Sequence, residues 1–305
     1  MFSVVIPLYN KSRSISATLN SVLAQDCTSF EVVVVDDGST DGSAEIIKKI
    51  PDNRIRLFQQ PNTGVSAARN RGIKEAKYNY IALLDADDLW EKNYLSEMIT
   101  LIKDFPGAGM YGCAFDEVCN KKQYRSVSSL PDNYMGYVED YFCLARKSFL
   151  FWTSAVILNK GLLGNKLGFD EQMSFGEDLD LWFRIAYHHK VAYLNKVLAH
   201  YNKISENREM SKHHAFHSSI ISHTTKYQAM EDVSFEFRRF INWFRIQKIP
   251  ELFLRYGLNK SERQNYLELI DPSGQGIKIR LFLVLPDYLQ LLIIKKLKRR
   301  HVQWK

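Results

Sequence analysis

Residues 31–43 read EVVVVDDGSTDGS. Four valines in a row leave no polar position on either face. A strand with one wet face alternates apolar and polar residues, so this run predicts a strand buried on both faces, as in a parallel sheet covered by helices. It stops abruptly at DDGSTDGS, whose Asp, Gly and Ser suit a turn and a helix cap. Working outward, FSVVI (2–6) predicts a first strand, ended by Pro7. SISATLNSVLAQ follows with Ile15, Leu19, Val22 and Leu23 at helical spacing. AEIIKKI predicts a short helix, RIRLFQQ a strand, NTGVSAARNRGIKEA a helix opening after Gly64, and YIALL another buried strand. NYLSEMITLIKDF is amphipathic through Leu95, Met98, Ile99 and Ile102. Strands alternating with helices imply an α/β domain, a parallel sheet covered by helices, with ligands outside the carboxyl ends of the strands. Regularity loosens over 106–152. SAVILNK then reads as a strand and EDLDLWFRIAYHH as a helix with Leu179, Trp182, Ile185 and Ala186 on one face. After about residue 215 the chain reads as mostly helical, so the expected division is 1–215 and 216–305.

The chain has 305 residues, 46% hydrophobic and 25% charged, which suits one large domain with a smaller appendage. Four scattered cysteines form no CxxC, which argues against a zinc site or disulfide framework and for a reducing, cytosolic setting. MFSVVIPLYN lacks the basic start of a signal peptide, and no apolar run reaches the roughly 18 residues of a membrane span. The net charge is +7, but KKLKRRHVQWK at 295–305 holds six Lys or Arg, leaving about +1 elsewhere. That balance disfavours a nucleic-acid partner on the main body. LQLLIIKKLKRRHVQWK instead reads as a basic amphipathic tail suited to peripheral contact with the inner face of a membrane; a terminal helix with a solvated basic end is the alternative.

Three predicted strand ends carry unusual residues: PLYN, DDGSTD and DADD. Residues 81–90, IALLDADDLW, crowd Asp85, Asp87 and Asp88 onto one tip. On an extended backbone Asp85 and Asp87 share a face, which suits Mn2+ or Mg2+; a solvated helix cap is the alternative. Asp36 and Asp37 close the second strand. An ionised carboxylate only accepts, so it reads uracil N3–H and rejects cytosine N3; a turn Asp bonding its own loop is the alternative. Tyr9 either stacks on a base or fills a half-buried core position. Asp178 opens a helix and fits an N-cap, yet the same place would hold a general base rigidly. The chain contains no GxGxxG after its first strand, no P-loop, no HExxH and no GxSxG.

VVIPLYN, VVVVDDGSTDGS, NTGVSAARNRGI, IALLDADD and FGEDLDLWFRIA, in this order, resemble the family 2 glycosyltransferases, which have the GT-A fold, a Rossmann-like mixed sheet, mostly parallel and flanked by helices. The resemblance spans residues 1 to about 200. It implies inverting transfer of one sugar from a UDP-sugar donor to a glycan or lipid-linked acceptor, in cell-surface polysaccharide assembly. By the same resemblance Pro7, Tyr9 and Asp37 hold the base, and Gly64 and Arg69 shape the nucleotide pocket. Asp85, Ala86 and Asp87 form the DxD element that handles ribose, metal and diphosphate, and Asp178 is the catalytic base. Charge at 85–88 is then offset by a divalent metal and its diphosphate. There is one departure. A Tyr-Arg-x-His segment is common after the catalytic helix, whereas HYNKISENREMS keeps Tyr201 but has Asn202 and Ile204 for Arg and His, with Lys203 or His200 as substitutes. The QxxRW of processive synthases is absent. A nucleotidyltransferase and a non-catalytic sugar-nucleotide binder are the competing readings.

Overall fold

A computed structural model of the chain describes residues 1–119, 122–125, 128–148, 150–164, 167–206 and 214–299. The chain divides into two compact units, Met1–His213 and His214–Lys305. The first contains the strands β1 Phe2–Leu8, β2 Phe30–Asp36, β3 Ile55–Gln59, β4 Tyr80–Leu83, β5 Leu89–Trp90, β6 Met110–Cys119, β7 Lys122–Arg125, β8 Met135–Tyr137, β9 Val156–Asn159 and β10 Val191–Asn202. Its helices are α1 Ile15–Leu23, α2 Ser43–Lys48, α3 Val65–Glu75, α4 Tyr94–Asp104, α5 Tyr141–Ala145, α6 Lys160–Leu163 and α7 Glu177–His188.

The strands form one mixed sheet in the order β3-β2-β1-β4-β9-β6-β10-β5. β3, β2, β1 and β4 are mutually parallel, and so are β6 and β10; β9 runs antiparallel between the two groups. All seven residues of β2 are buried, as its valine run predicts. The carboxyl ends of β1, β2 and β4 therefore lie along one edge, and each carries one of the acidic or aromatic motifs.

β1 does not end at Pro7. It runs to Leu8, with Pro7 opposite Val35. In a parallel ladder alternate residues bond to alternate neighbours. Val5 accepts from Leu84 on the β4 side, and Leu8 accepts from Asp37 on the β2 side. Pro7 thus faces β4, where the ladder has already ended at Val5–Leu83, so its missing N–H costs no pairing. β6 and β10, the longest pairing of the sheet, lie where the sequence shows no clear period. β10 is bulged between Leu194 and Ala199, which breaks its alternation.

The second unit is helical: α8 Gln228–Val233, α9 Phe235–Leu254, α10 Lys260–Leu267, α11 Ile277–Val284 and α12 Asp287–Arg299. Arg245 of α9, buried, bonds Glu231 through two nitrogens at 2.9 and 2.8 Å and holds this unit's interior together. No helix of the described residues is long and apolar enough to cross a membrane. Residues 300–305 of the predicted tail, Trp304 among them, lie outside the described residues.

Candidate active site

The DADD tip is a turn, not an extended strand end. β4 stops at Leu83, and the Asp88 N–H closes on the Asp85 carbonyl at 3.1 Å. The expectation that Asp85 and Asp87 share a strand face therefore fails. The turn sends each carboxylate to its own partner. Asp85 meets the Arg69 guanidinium at 2.8 Å. Asp87 meets the Lys11 ammonium at 2.6 Å and also accepts from the Ser205 hydroxyl. Asp88 turns inward and accepts from the Ser154 hydroxyl at 2.5 Å, the Trp152 indole at 3.2 Å and the Asn202 N–H at 3.0 Å. Burial, with the charges of Asp87 and Asp85, pushes the Asp88 carboxyl well above the usual carboxylate range. The crowded charge is thus offset within the chain by two basic side chains and one buried acid. Ala86 is buried in the core, so only its backbone faces the site.

Arg69 is itself 4% exposed. Its second nitrogen reaches Glu177 on α7 at 2.8 Å, and its guanidinium lies over the Phe169 ring at 5.1 Å. Its side chain forms a buried bridge from the DADD turn to the start of α7.

At the β2 end, Asp37 is 3% exposed. Oδ1 accepts from Gln60 Nε2 and the Thr63 N–H, both at 2.9 Å, and Oδ2 from the Gly64 N–H at 2.9 Å. It braces the loop that starts α3. Oδ2 keeps acceptor capacity for one further donor. Gly64 has φ +97 and ψ 163, a region closed to residues with a Cβ, so its part in the site is played by its backbone. Tyr9 is 38% exposed, just past β1. The loop after it is pinned: Asn10, at φ +52, accepts from the Thr40 N–H at 2.8 Å, and the Lys11 N–H donates to Ser43 at 2.9 Å.

Asp178 is not the N-cap of α7. Gly176 is, at φ +79, and Asp178 is the second helical residue. Its Oδ1 accepts from the Leu179 N–H at 2.7 Å and its Oδ2 from the Thr153 hydroxyl at 3.4 Å. Burial pushes its carboxyl up to about 6; the Glu177 charge adds to the rise and Arg69 opposes it. The other two acids of this turn are committed elsewhere, Glu177 to Arg69 and Asp180 to Arg184 at 2.9 Å. His200 and Lys203, the expected substitutes for the missing Arg-x-His, bond other acids. His200 lies between Asp116 at 2.6 Å and Glu91 at 2.9 Å, and Lys203 bonds Glu117 at 2.7 Å. Lys11 is the residue that sequence reasoning passed over, although it directly follows the PLYN strand end.

The donor set suits a divalent cation. Asp85 and Asp87 present hard carboxylate oxygens on one turn, with side chains 25% and 13% exposed. Among the described residues no group of three His, Cys, Asp or Glu stands ready as a metal cage. An ion held there would complete its shell with water and phosphate oxygens, as Mg2+ and Mn2+ do.

A mixed, mostly parallel sheet flanked by helices, with acidic motifs at the carboxyl ends of β2 and β4, is the arrangement of the GT-A class. Residues 3–165 match the family Glycosyl transferase family 2, and the chain belongs to it. Glycosyltransferase GlyA of Streptococcus pneumoniae is 32% identical over 212 residues, 65% of this chain but 30% of GlyA. The chain thus spans less than a third of that relative's length. The fold matches that of S. aureus TarS residues 1–349 in complex with UDP-GlcNAc, at TM-score 0.70 and 20% identity over 100% of this chain and 93% of that one. It also matches the mannosyltransferase PcManGT of Pyrobaculum calidifontis in complex with GDP-Man and Mn2+, at TM-score 0.59 and 19% identity over 97% and 86%.

Proposed function

We propose that the chain is an inverting, metal-dependent glycosyltransferase that moves one sugar from a UDP-sugar to a hydroxyl of a glycan or lipid-linked acceptor. The observation that carries this reading is Asp178: an acid raised to about 6, fixed at the start of α7 and joined through Glu177 and Arg69 to the DADD turn. A base in that place removes the acceptor hydroxyl proton as the oxygen attacks the anomeric carbon. A single displacement needs one base and no enzyme nucleophile, and it inverts the sugar. Asp37 Oδ2 accepts from the base of the nucleotide, and Tyr9 stacks on its face. Asp85 and Asp87 would hold the divalent ion, Mn2+ or Mg2+, which when bound would supply positive charge to the leaving diphosphate. The UDP-GlcNAc of TarS and the Mn2+ of PcManGT support a sugar nucleotide and a divalent ion on this fold.

The test is turnover beside donor affinity for wild type and Asp178→Asn. Transfer should fall by roughly 10²-fold or more while UDP affinity holds. Near wild-type transfer by a folded Asp178→Asn protein removes Asp178 as the base.

A further inference from the structure

The site leaves unused an apolar face on the C-terminal unit. α11 exposes Ile277, Leu281 and Val284, spaced four and three apart and so on one helical face. Leu285 and Pro286 break the helix. Buried Gln290 donates back to the Phe282 carbonyl at 2.9 Å, which ties α12 to the end of α11. α12 then exposes Tyr288 and Leu292, again four apart. All five side chains are more than half exposed. The sides opposite these residues are packed. Phe282 packs on Phe253 of α9 with ring centroids 6.2 Å apart, Ile294 is buried, and Asp287 pairs with Arg263 at 2.6 Å. Single exposed apolar residues are ordinary; three on one face of α11 and two on one face of α12, helices tied together by Gln290, mark an interaction surface.

Charge decides what covers it. From Gly274 to Lys305 the sequence holds eight Lys or Arg and one acid, Asp287, which Arg263 already neutralises. Lys278, Arg280, Lys295 and Lys296 are exposed. A second copy of this chain would bring one set of these four cations against another. An anionic bilayer takes both features at once, apolar side chains at the headgroup boundary and cations among the phosphates. We infer that α11 and α12 form a docking surface for an anionic phospholipid bilayer, with Ile277, Leu281, Val284, Tyr288 and Leu292 entering it. The inference does not depend on the donor, the metal or the base.

The test is flotation of the full chain with vesicles of phosphatidylcholine mixed with phosphatidylglycerol and with vesicles of phosphatidylcholine alone. The wild type is compared with a variant carrying Ile277→Gln, Leu281→Gln, Val284→Gln and Leu292→Gln. These positions are exposed, so folding is preserved, and circular dichroism and UDP affinity check it. Wild type should partition onto the anionic vesicles at least about tenfold better than onto neutral ones, and the variant should lose most of that binding with all its cations intact. Wild type that floats with neither vesicle overturns the inference. Equal flotation of the variant does so as well, because the cations alone then suffice. Concentration-dependent dimers without lipid, abolished in the variant, assign the face to a second copy instead.

Discussion

Asp178 combines two properties that a structural acid would not need together. It is fixed by the Leu179 N–H, yet burial raises it to about 6. Catalysis by the ionised form predicts that kcat/KM is level above about pH 6 and falls tenfold per unit below it. The same shift has a stability sign. The folded value lies above the unfolded one, near 4, so the folded protein holds the proton more tightly. Stability then declines as pH rises from about 4 to about 6 and is level above. Asp178→Asn cannot ionise, so above that window it should match or exceed wild type in stability, by up to about 1–3 kcal/mol. Urea melts at pH 5 and pH 8 check this; a loss of stability at pH 8 equal to that at pH 5 argues for a purely structural acid.

Asp37 is legible as a loop carboxylate and as a base-reading one, and the structure shows the first in full while leaving room for the second. Asp37→Ala strands the Thr63 and Gly64 N–H groups, so it should destabilise by about 2–3 kcal/mol. In the wild type UDP should bind roughly ten- to a hundredfold more tightly than CDP, one charge-assisted hydrogen bond. Calorimetry with both nucleotides checks the preference, and equal affinities end the assignment.

Among the elements, α3 is the one that assembles the site. Its start is braced by Asp37, its middle carries Arg69, and its end lies on β1. Gly72 makes the last contact: a Cβ there would fall well inside van der Waals contact with Val5 Cγ1. Gly72→Ala should cost about 1–3 kcal/mol, and Val5→Ala in the same protein should recover part of it, measured as a double-mutant cycle in urea. Arg69 joins three elements, since it bonds Asp85 after β4 and Glu177 at the start of α7. Arg69→Met leaves those acids without their cation, and a loss of about 3 kcal/mol is expected. Adding Glu177→Gln should restore some of it. Simple additivity in the melts would show that the bridge does not act as a unit.

For the whole molecule the expected coupling is between ligand and fold. A UDP-sugar with Mn2+ at about a hundredfold over Kd should stabilise the chain by about 2.7 kcal/mol. EDTA should remove most of that gain, and so should Asp87→Asn even with Mn2+ present. Thermal shift across a panel of nucleotide-sugars reads both effects. A gain unchanged by EDTA would sever the diphosphate from the metal.

The sequence by itself determined the succession of β1 to β4 with their helices, the burial of β2 and the placing of motifs at strand ends. Each rests on periodicity, composition or turn chemistry within about ten residues. It left β6 and β10 unread because their pairing joins residues about eighty apart, and the bulges in β10 erase its local alternation. Only the tertiary structure decided what the acids touch. Asp85, Asp87 and Asp88 are neighbours in the chain, yet their partners lie 16, 76 and 66 residues away. A one-residue rotation of the turn would exchange those partners. The cation that meets each acid, the acid that is buried and the acid that is raised are set by packing between elements, which no local pattern records.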